Sequence, residues 1–184
     1  ARLARMNYQG NAFSIILVIG GEEIALTGMV EGVRKGADVF GIGFLAFVTA
    51  FGGGTVRDLL LDRRPFFWVE NEFWLWLLIG IAALAPFILR SSFIEITEKT
   101  VKWPDAVGLG AFSANGTLIA LESGESVLVA ALIGVVTAGV GGIIRDLLIK
   151  RLPQAIVDHE FYLVIALAGG LSISLFGFLG MPIA

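Results

Sequence analysis

Apolar residues fall in six long runs, at about residues 12–30, 39–61, 73–89, 106–121, 127–149 and 161–180, and the segments between them hold most of the charge. Each run is close to the 20 or so residues that an α-helix needs to cross a bilayer. The pattern predicts an all-α integral membrane protein with six spans. One connection, Arg90 to Asp105, is longer than the others and carries Glu95, Glu98, Lys99, Lys102 and Pro104. It is the natural link between two halves. The aromatic cluster Phe66, Phe67, Trp68, Phe73, Trp74 and Trp76 falls where the third span should enter the bilayer, and is expected to anchor it there as an interfacial belt.

Composition agrees with this pattern. Hydrophobic residues make up 57% of the 184 positions and charged ones 16%, against about 45–50% and about 25% in soluble domains. A net charge of −3 gives no basic face for phosphates, so a nucleic-acid partner is not expected. The absence of cysteine excludes disulfides, thiol catalysis and thiolate metal sites. Arg2 and Arg5 ahead of an apolar run resemble a signal peptide, but that run continues into the first span. The lone His159 stands near a helix start and is read as interfacial, with no metal site to join. GGGTVRD lacks the Lys-Ser/Thr of a phosphate loop and the spacing of a dinucleotide fingerprint, and no Ser/His/Asp set is present, so an enzyme is not expected.

The strongest signal is internal repetition. A shift of 88 positions superposes Gly28–Leu75 on Gly116–Leu163 without a gap, with 18 of 48 positions identical. Val48-Thr49-Ala50 falls on Val136-Thr137-Ala138, Gly53-Gly54 on Gly141-Gly142, and Arg57-Asp58-Leu59-Leu60 on Arg145-Asp146-Leu147-Leu148. The expected organisation is a first three-helix unit over residues 1–91, a cytoplasmic linker over 92–105 and a second unit over 106–184. Three helices per unit make the second copy start on the opposite membrane face, which predicts an inverted repeat. Lys and Arg then divide by side: Arg2, Arg5, Arg57, Arg63 and Arg64 on one, and Arg34, Lys35, Arg90, Lys99, Lys102, Arg145, Lys150 and Arg151 on the other. The positive-inside rule puts the N-terminus outside.

Candidate chemistry lies in the second and fifth spans, FVTAFGGGTVRDLLLDRRP and VVTAGVGGIIRDLLIKRLP. Gly52, Gly53, Gly54, Gly141 and Gly142 sit inside apolar runs, where they permit a bend or an unwound turn; backbone groups so released are tolerated only against protein or a wet path. The alternative is close packing of helices through small residues. Arg57-Asp58 and Arg145-Asp146 follow about one turn later, at a depth where charge is costly and usually functional. Adjacent helical residues project about 100° apart, so each Arg is expected to find carbonyl ends, other carboxylates or lipid phosphates rather than its neighbouring Asp. Thr49 and Thr137 offer hydroxyls to a dehydrated cation or to their own helix backbone. Ser113, Asn115 and Thr117 in the fourth span and Glu22 and Glu23 in the first are the other polar residues at membrane depth.

The doubled GG-x-x-RD-L-L motif, with DAVGLGAFSANGT opening the second unit and Pro65 and Pro153 shortly after each RD, resembles bacterial and archaeal members of the trimeric intracellular cation (TRIC) channel family. The likeness covers about residues 16–180. It implies a homotrimer in the inner membrane of a prokaryote, surrounded by lipids and needing no cofactor, with a pore in each protomer passing potassium and other monovalent cations. By position it carries over Gly52, Gly53 and Gly54 with Arg57 and Asp58 as the first motif and Gly141 and Gly142 with Arg145 and Asp146 as the second, with helices bent at the glycines; Thr49, Thr137, Ser113 and Asn115 join the expected ion path on their own polarity at membrane depth. A gate or lipid contact falls at Arg57, Asp58, Arg145 and Asp146. Val140 departs from the second glycine triplet, and Glu22-Glu23 stand where small or apolar residues are expected. A seventh helix is implied but absent from this chain, which stops at Gly180-Met181-Pro182-Ile183-Ala184, where that helix should begin. The rival function is a carrier for a small amino acid such as glycine, an activity also ascribed to bacterial relatives of this family. Trimer contacts are expected through Gly28, Gly32, Gly108, Gly110 and Gly116.

Overall fold

The computed structural model describes residues 25–70, 72–90, 98–157 and 162–178. Glu22, Glu23 and His159 lie outside the described residues. Helical backbone over 25–34 forms α1. It is followed by α2 (Val39–Leu60), α3 (Phe67–Glu70), α4 (Glu72–Arg90), α5 (Glu98–Glu122), α6 (Val127–Leu148), α7 (Gln154–Val157) and α8 (Tyr162–Phe178). The second and fifth predicted spans are thus α2 and α6. Each has 22 residues, a length of about 33 Å at 1.5 Å per residue, sufficient for the hydrocarbon core.

Local chemistry explains where these helices stop. α1 ends with Gly36 at φ +71, and the turn after α5 has Gly124 at φ +92. At both, the two overlapping bonds of a Schellman motif close the helix: Ala37 N–H to Gly32 O with Gly36 N–H to Val33 O, and Glu125 N–H to Ala120 O with Gly124 N–H to Leu121 O. α2 and α6 close in the same way through Asp62 (φ 50) and Lys150 (φ 57). At the other end, Asp38 and Ser126 cap α2 and α6, their side chains accepting from Gly41 N and Val129 N. All three pairs of capping positions differ by 88, the shift read from the sequence.

Two boundaries differ from the hydropathy pattern. α1 continues to residue 34 because Glu31 and Arg34 pair at i,i+3, 3.3 Å apart, and extend a polar helical turn beyond the apolar run. α5 starts at Glu98, so residues 98–105, read as linker, are helical. Charged residues such as Glu98, Lys99 and Lys102 are good helix formers, and hydropathy alone cannot tell a polar helical extension from a loop.

α6 packs against α2, α5 and α8, while α4 packs against α2. Met29, Ile42, Ala46 and Ala82 form an apolar core in the first half and Ala120, Ala130 and Ile133 one in the second, yet the exterior is apolar as well. Phe40, Phe44, Leu59, Leu60, Phe73, Trp76, Leu128, Leu132, Leu147 and Leu148 are exposed, whereas Thr27, Thr49, Arg57, Asp58, Ser113, Thr117, Thr137, Arg145 and Asp146 are buried. Water would not tolerate so extensive an apolar exterior, and lipid does.

Candidate functional site

The site is built where α2 crosses α6. Both helices run unbroken through their glycines, so no turn is unwound there. The glycines instead allow contact that any side chain would prevent. A Cβ on Gly53 would overlap the Thr137 carbonyl oxygen, one on Gly141 would overlap the Thr49 carbonyl oxygen, and one on Gly52 would stand 3.4 Å from Gly141 Cα. Each half adds its own preceding helix to the crossing. Gly28 of α1 lies against Thr49 and Ala46, and Gly116 of α5 lies against Thr137 and Gly134. Gly28, Gly32 and Gly116 are therefore used inside the protomer, where α1 meets α2 and α5 meets α6, and not as the trimer contacts expected of them. Gly110 alone of that set is exposed, and a Cβ there would meet no other group within 4 Å among the described residues.

The two threonines donate to their own helices, Thr49 to Leu45 O at 2.5 Å and Thr137 to Ile133 O at 2.7 Å. Ser113 is also engaged, donating to Ala166 O of α8 at 2.7 Å. Asn115 is half-buried. Thr117 is fully buried, and among the described residues its Oγ1 has no hydrogen-bond partner.

The arginines correct the expectation from helical projection. Arg57 Nε and Nη2 lie 2.9 and 2.8 Å from Asp58 Oδ1. Arg145 Nε and Nη2 lie 2.9 Å each from Asp146 Oδ1. The 100° rule applies to the directions in which side chains leave the helix, whereas a long Arg stem can curl around the helix to its neighbour. Burial supplies the reason to do so, because an uncompensated charge in a dry interior costs several kcal/mol. Arg57 is 4% and Arg145 5% exposed, so within the protomer neither guanidinium reaches the lipid-facing exterior. Asp58 Oδ2 also accepts from Phe67 N–H at 3.3 Å.

Thr27 is a site residue that the sequence reading passed over. Its Oγ1 accepts from Arg145 Nη1 at 2.9 Å, joining α1 of one half to α6 of the other. The available signal was register, since Thr27 is the 88-shift counterpart of Asn115. One helical turn further along α1, Glu31 stands 3.7 Å from Arg151, beyond the end of α6. The aromatic cluster is likewise only partly a belt. Phe73 and Trp76 are exposed, but Trp68 donates to Thr55 at 3.1 Å and the Phe67 ring lies against Gly54.

An apolar exterior, a glycine-packed helix crossing and two buried Arg–Asp pairs define a polytopic α-helical membrane protein built on a duplicated unit. A family model described as glycine transporter matches residues 15–90 and again residues 102–177, and the chain belongs to that family. It is 34% identical over 170 residues to the UPF0126 membrane protein YvgT of Bacillus subtilis, covering 92% of this chain and 82% of the relative. It is 34% identical over 158 residues to the UPF0126 inner membrane protein YadS of Escherichia coli K12, covering 84% and 73%. With a UPF0126 membrane protein of Vibrio cholerae it shares 35% identity over 162 residues, or 85% of this chain, and spans 65% of that relative's length. Its fold is that of prokaryotic TRIC channels. The TRIC orthologue from Rhodobacter sphaeroides superposes with a TM-score of 0.85 at 34% identity, over 94% of this chain and 88% of that one. A protein solved in a study of conductance through TRIC cation channels superposes with a TM-score of 0.81 at 32% identity, over 94% and 83%. The UPF0126 relatives are described as membrane proteins and the solved structures as cation channels.

Proposed function

We propose that the protein is a monovalent cation channel, with potassium as its principal permeant ion, a path in each protomer along the α2–α6 crossing, and a homotrimeric assembly in a prokaryotic inner membrane. The observation that carries this reading is the likeness over 94% of the chain to the Rhodobacter sphaeroides TRIC orthologue. The path passes Thr49, Gly52–Gly54, Thr137, Gly141 and Gly142, with Ser113 and Asn115 beside it. Half-buried Gly52 and Gly142 leave backbone accessible along it.

Arg57 and Arg145 act as its gates. At an effective dielectric of about 20, a lone guanidinium about 6 Å from a cation opposes it by about 3 kcal/mol; a carboxylate about 3 Å further away reduces this to about 1 kcal/mol. Bonded to its own Asp, each Arg is a small barrier, and released from it, a large one.

The halves are inverted, and the N-terminus is outside. Support for inversion comes from Thr27–Arg145 and Glu31–Arg151, which hold the end of α1 beside the end of α6. Spans of the same direction in a parallel repeat would keep those ends on opposite faces. The same end of the molecule gathers Arg34, Lys35, Lys150 and Arg151, as a cytoplasmic face should.

A carrier for a small amino acid is the second reading, favoured by the description of the family model. Purified protein in liposomes separates the two. Rapid potassium flux that excess glycine leaves unchanged is the result expected of a channel; saturable, slow uptake of radiolabelled glycine without potassium flux would establish the carrier.

A further inference from the structure

The two halves match in their capping and their Arg–Asp pairs but not in what covers them. On the first half, the Phe67 ring fills the space left by Gly54: a Cβ there would be 2.6 Å from Phe67 Cε1. The ring also stands 5.7 Å from the Arg57 guanidinium carbon, while the Phe67 N–H bonds Asp58 at 3.3 Å. Trp68 ties the same short helix to α2 through Thr55. On the second half, the 88-shift counterpart of Phe67 is Ala155, and those of Trp68 and Thr55 are Ile156 and Ile143, which cannot form that hydrogen bond. Gly142, the counterpart of Gly54, is half-buried where Gly54 is buried. Among the described residues, a Cβ on Gly142 would meet only Arg145 Nη2, at 3.8 Å.

We propose that Phe67 is a one-sided lid, a ring carried by α3 that covers the glycine and Arg57–Asp58 end of the path on the first half, with no equivalent at Ala155. The lid is held by three separable contacts: the ring on Gly54, its amide on Asp58 and the Trp68–Thr55 bond. Its amide contact ties lid position to the Arg57–Asp58 pair, so a change in that pair is transmitted to α3. Opening is thus governed at one end of the molecule, although the underlying repeat has two.

This inference rests on the reading of the α2–α6 crossing as a path, and its test separates the two. The chain has no cysteine, so Thr55→Cys in the full chain is a single reporter at the edge of the lid; because it also weakens the Trp68 contact, each rate is compared with that of Thr55→Cys carrying Phe67. A membrane-impermeant methanethiosulfonate should label it slowly. Adding Phe67→Ala should raise the rate at least about threefold, as expected when an aromatic contact is lost, whereas Phe67→Leu should keep it slow. In bilayer recordings without the reporter, Phe67→Ala should raise open probability by a similar factor, and Ala155→Phe, which supplies the missing ring, should lower it. Equal labelling and equal open probability for Phe67→Ala and its parent would overturn the lid. If Phe67→Ala fails to fold, unchanged open probability in Ala155→Phe overturns it. A parent that conducts while labelling ignores Phe67 leaves the channel and removes the lid; a parent that passes no current while labelling still rises leaves the lid and removes the channel.

Discussion

The buried Arg–Asp pairs take four charges out of water, which is costly, and their two members should fail differently when removed. Asp58→Asn or Asp146→Asn leaves a guanidinium without its counter-charge, which should cost about 3–5 kcal/mol of stability and depress transport. Thermal unfolding in mild detergent and flux in liposomes measure the two effects. If the arginines gate the path as proposed, Arg57→Ala or Arg145→Ala removes a cationic barrier, so open probability should rise or voltage dependence loosen. Loss of the trimer with unaltered current in the surviving protein would instead make the arginines structural anchors. Thr27→Val should cost about 1 kcal/mol by removing one acceptor from Arg145, read as a lowered unfolding temperature. That these charges leave water was legible in the sequence, because RD follows the glycines inside an apolar run twice, and all four are buried. Their partners were not, since projection angles say nothing about how far an Arg stem can curl, and Thr27 lies 118 positions from the residue it serves.

Helix contacts depend on glycine more for proximity than for flexibility. Gly53→Ala and Gly141→Ala each put a methyl into a carbonyl of the opposing helix, so they should separate α2 from α6 and destabilise by about 1–3 kcal/mol. A double variant with reduced transport and a lowered unfolding temperature fits that steric account. Unchanged conductance with normal folding would count against a path at the crossing. At the helix ends, Asp62 and Lys150 hold left-handed conformations that glycine adopts without steric cost. Lys150→Gly should therefore stabilise by up to about 1 kcal/mol, measured by the same unfolding assay, and Gly124→Ala at φ +92 should do the reverse. Among the described residues, the long helices α2 and α6 were readable from hydropathy, as was the 88-residue register that the caps reproduce. The start of α5 was not, because its first residues are polar. Nor was the role of the glycines, since a bend and a close crossing require the same residue.

For the molecule as a whole, duplication explains the shared framework, and departures from duplication explain how its ends differ. The sequence showed the departures as letters, such as Phe67 opposite Ala155, but only packing shows that one of them covers Gly54. The proposed trimer must use surface that the protomer has not already spent, since Gly28, Gly32 and Gly116 are occupied internally. Light scattering in mild detergent should give a trimeric mass, and a monomeric mass would contradict the assembly. The proposal of a cation path through each protomer is tested most directly by planar-bilayer recording of the purified protein in asymmetric KCl. Discrete conductance steps whose current reverses close to the potassium equilibrium potential are the expected result. A silent bilayer containing protein that still takes up glycine saturably in liposomes would contradict it.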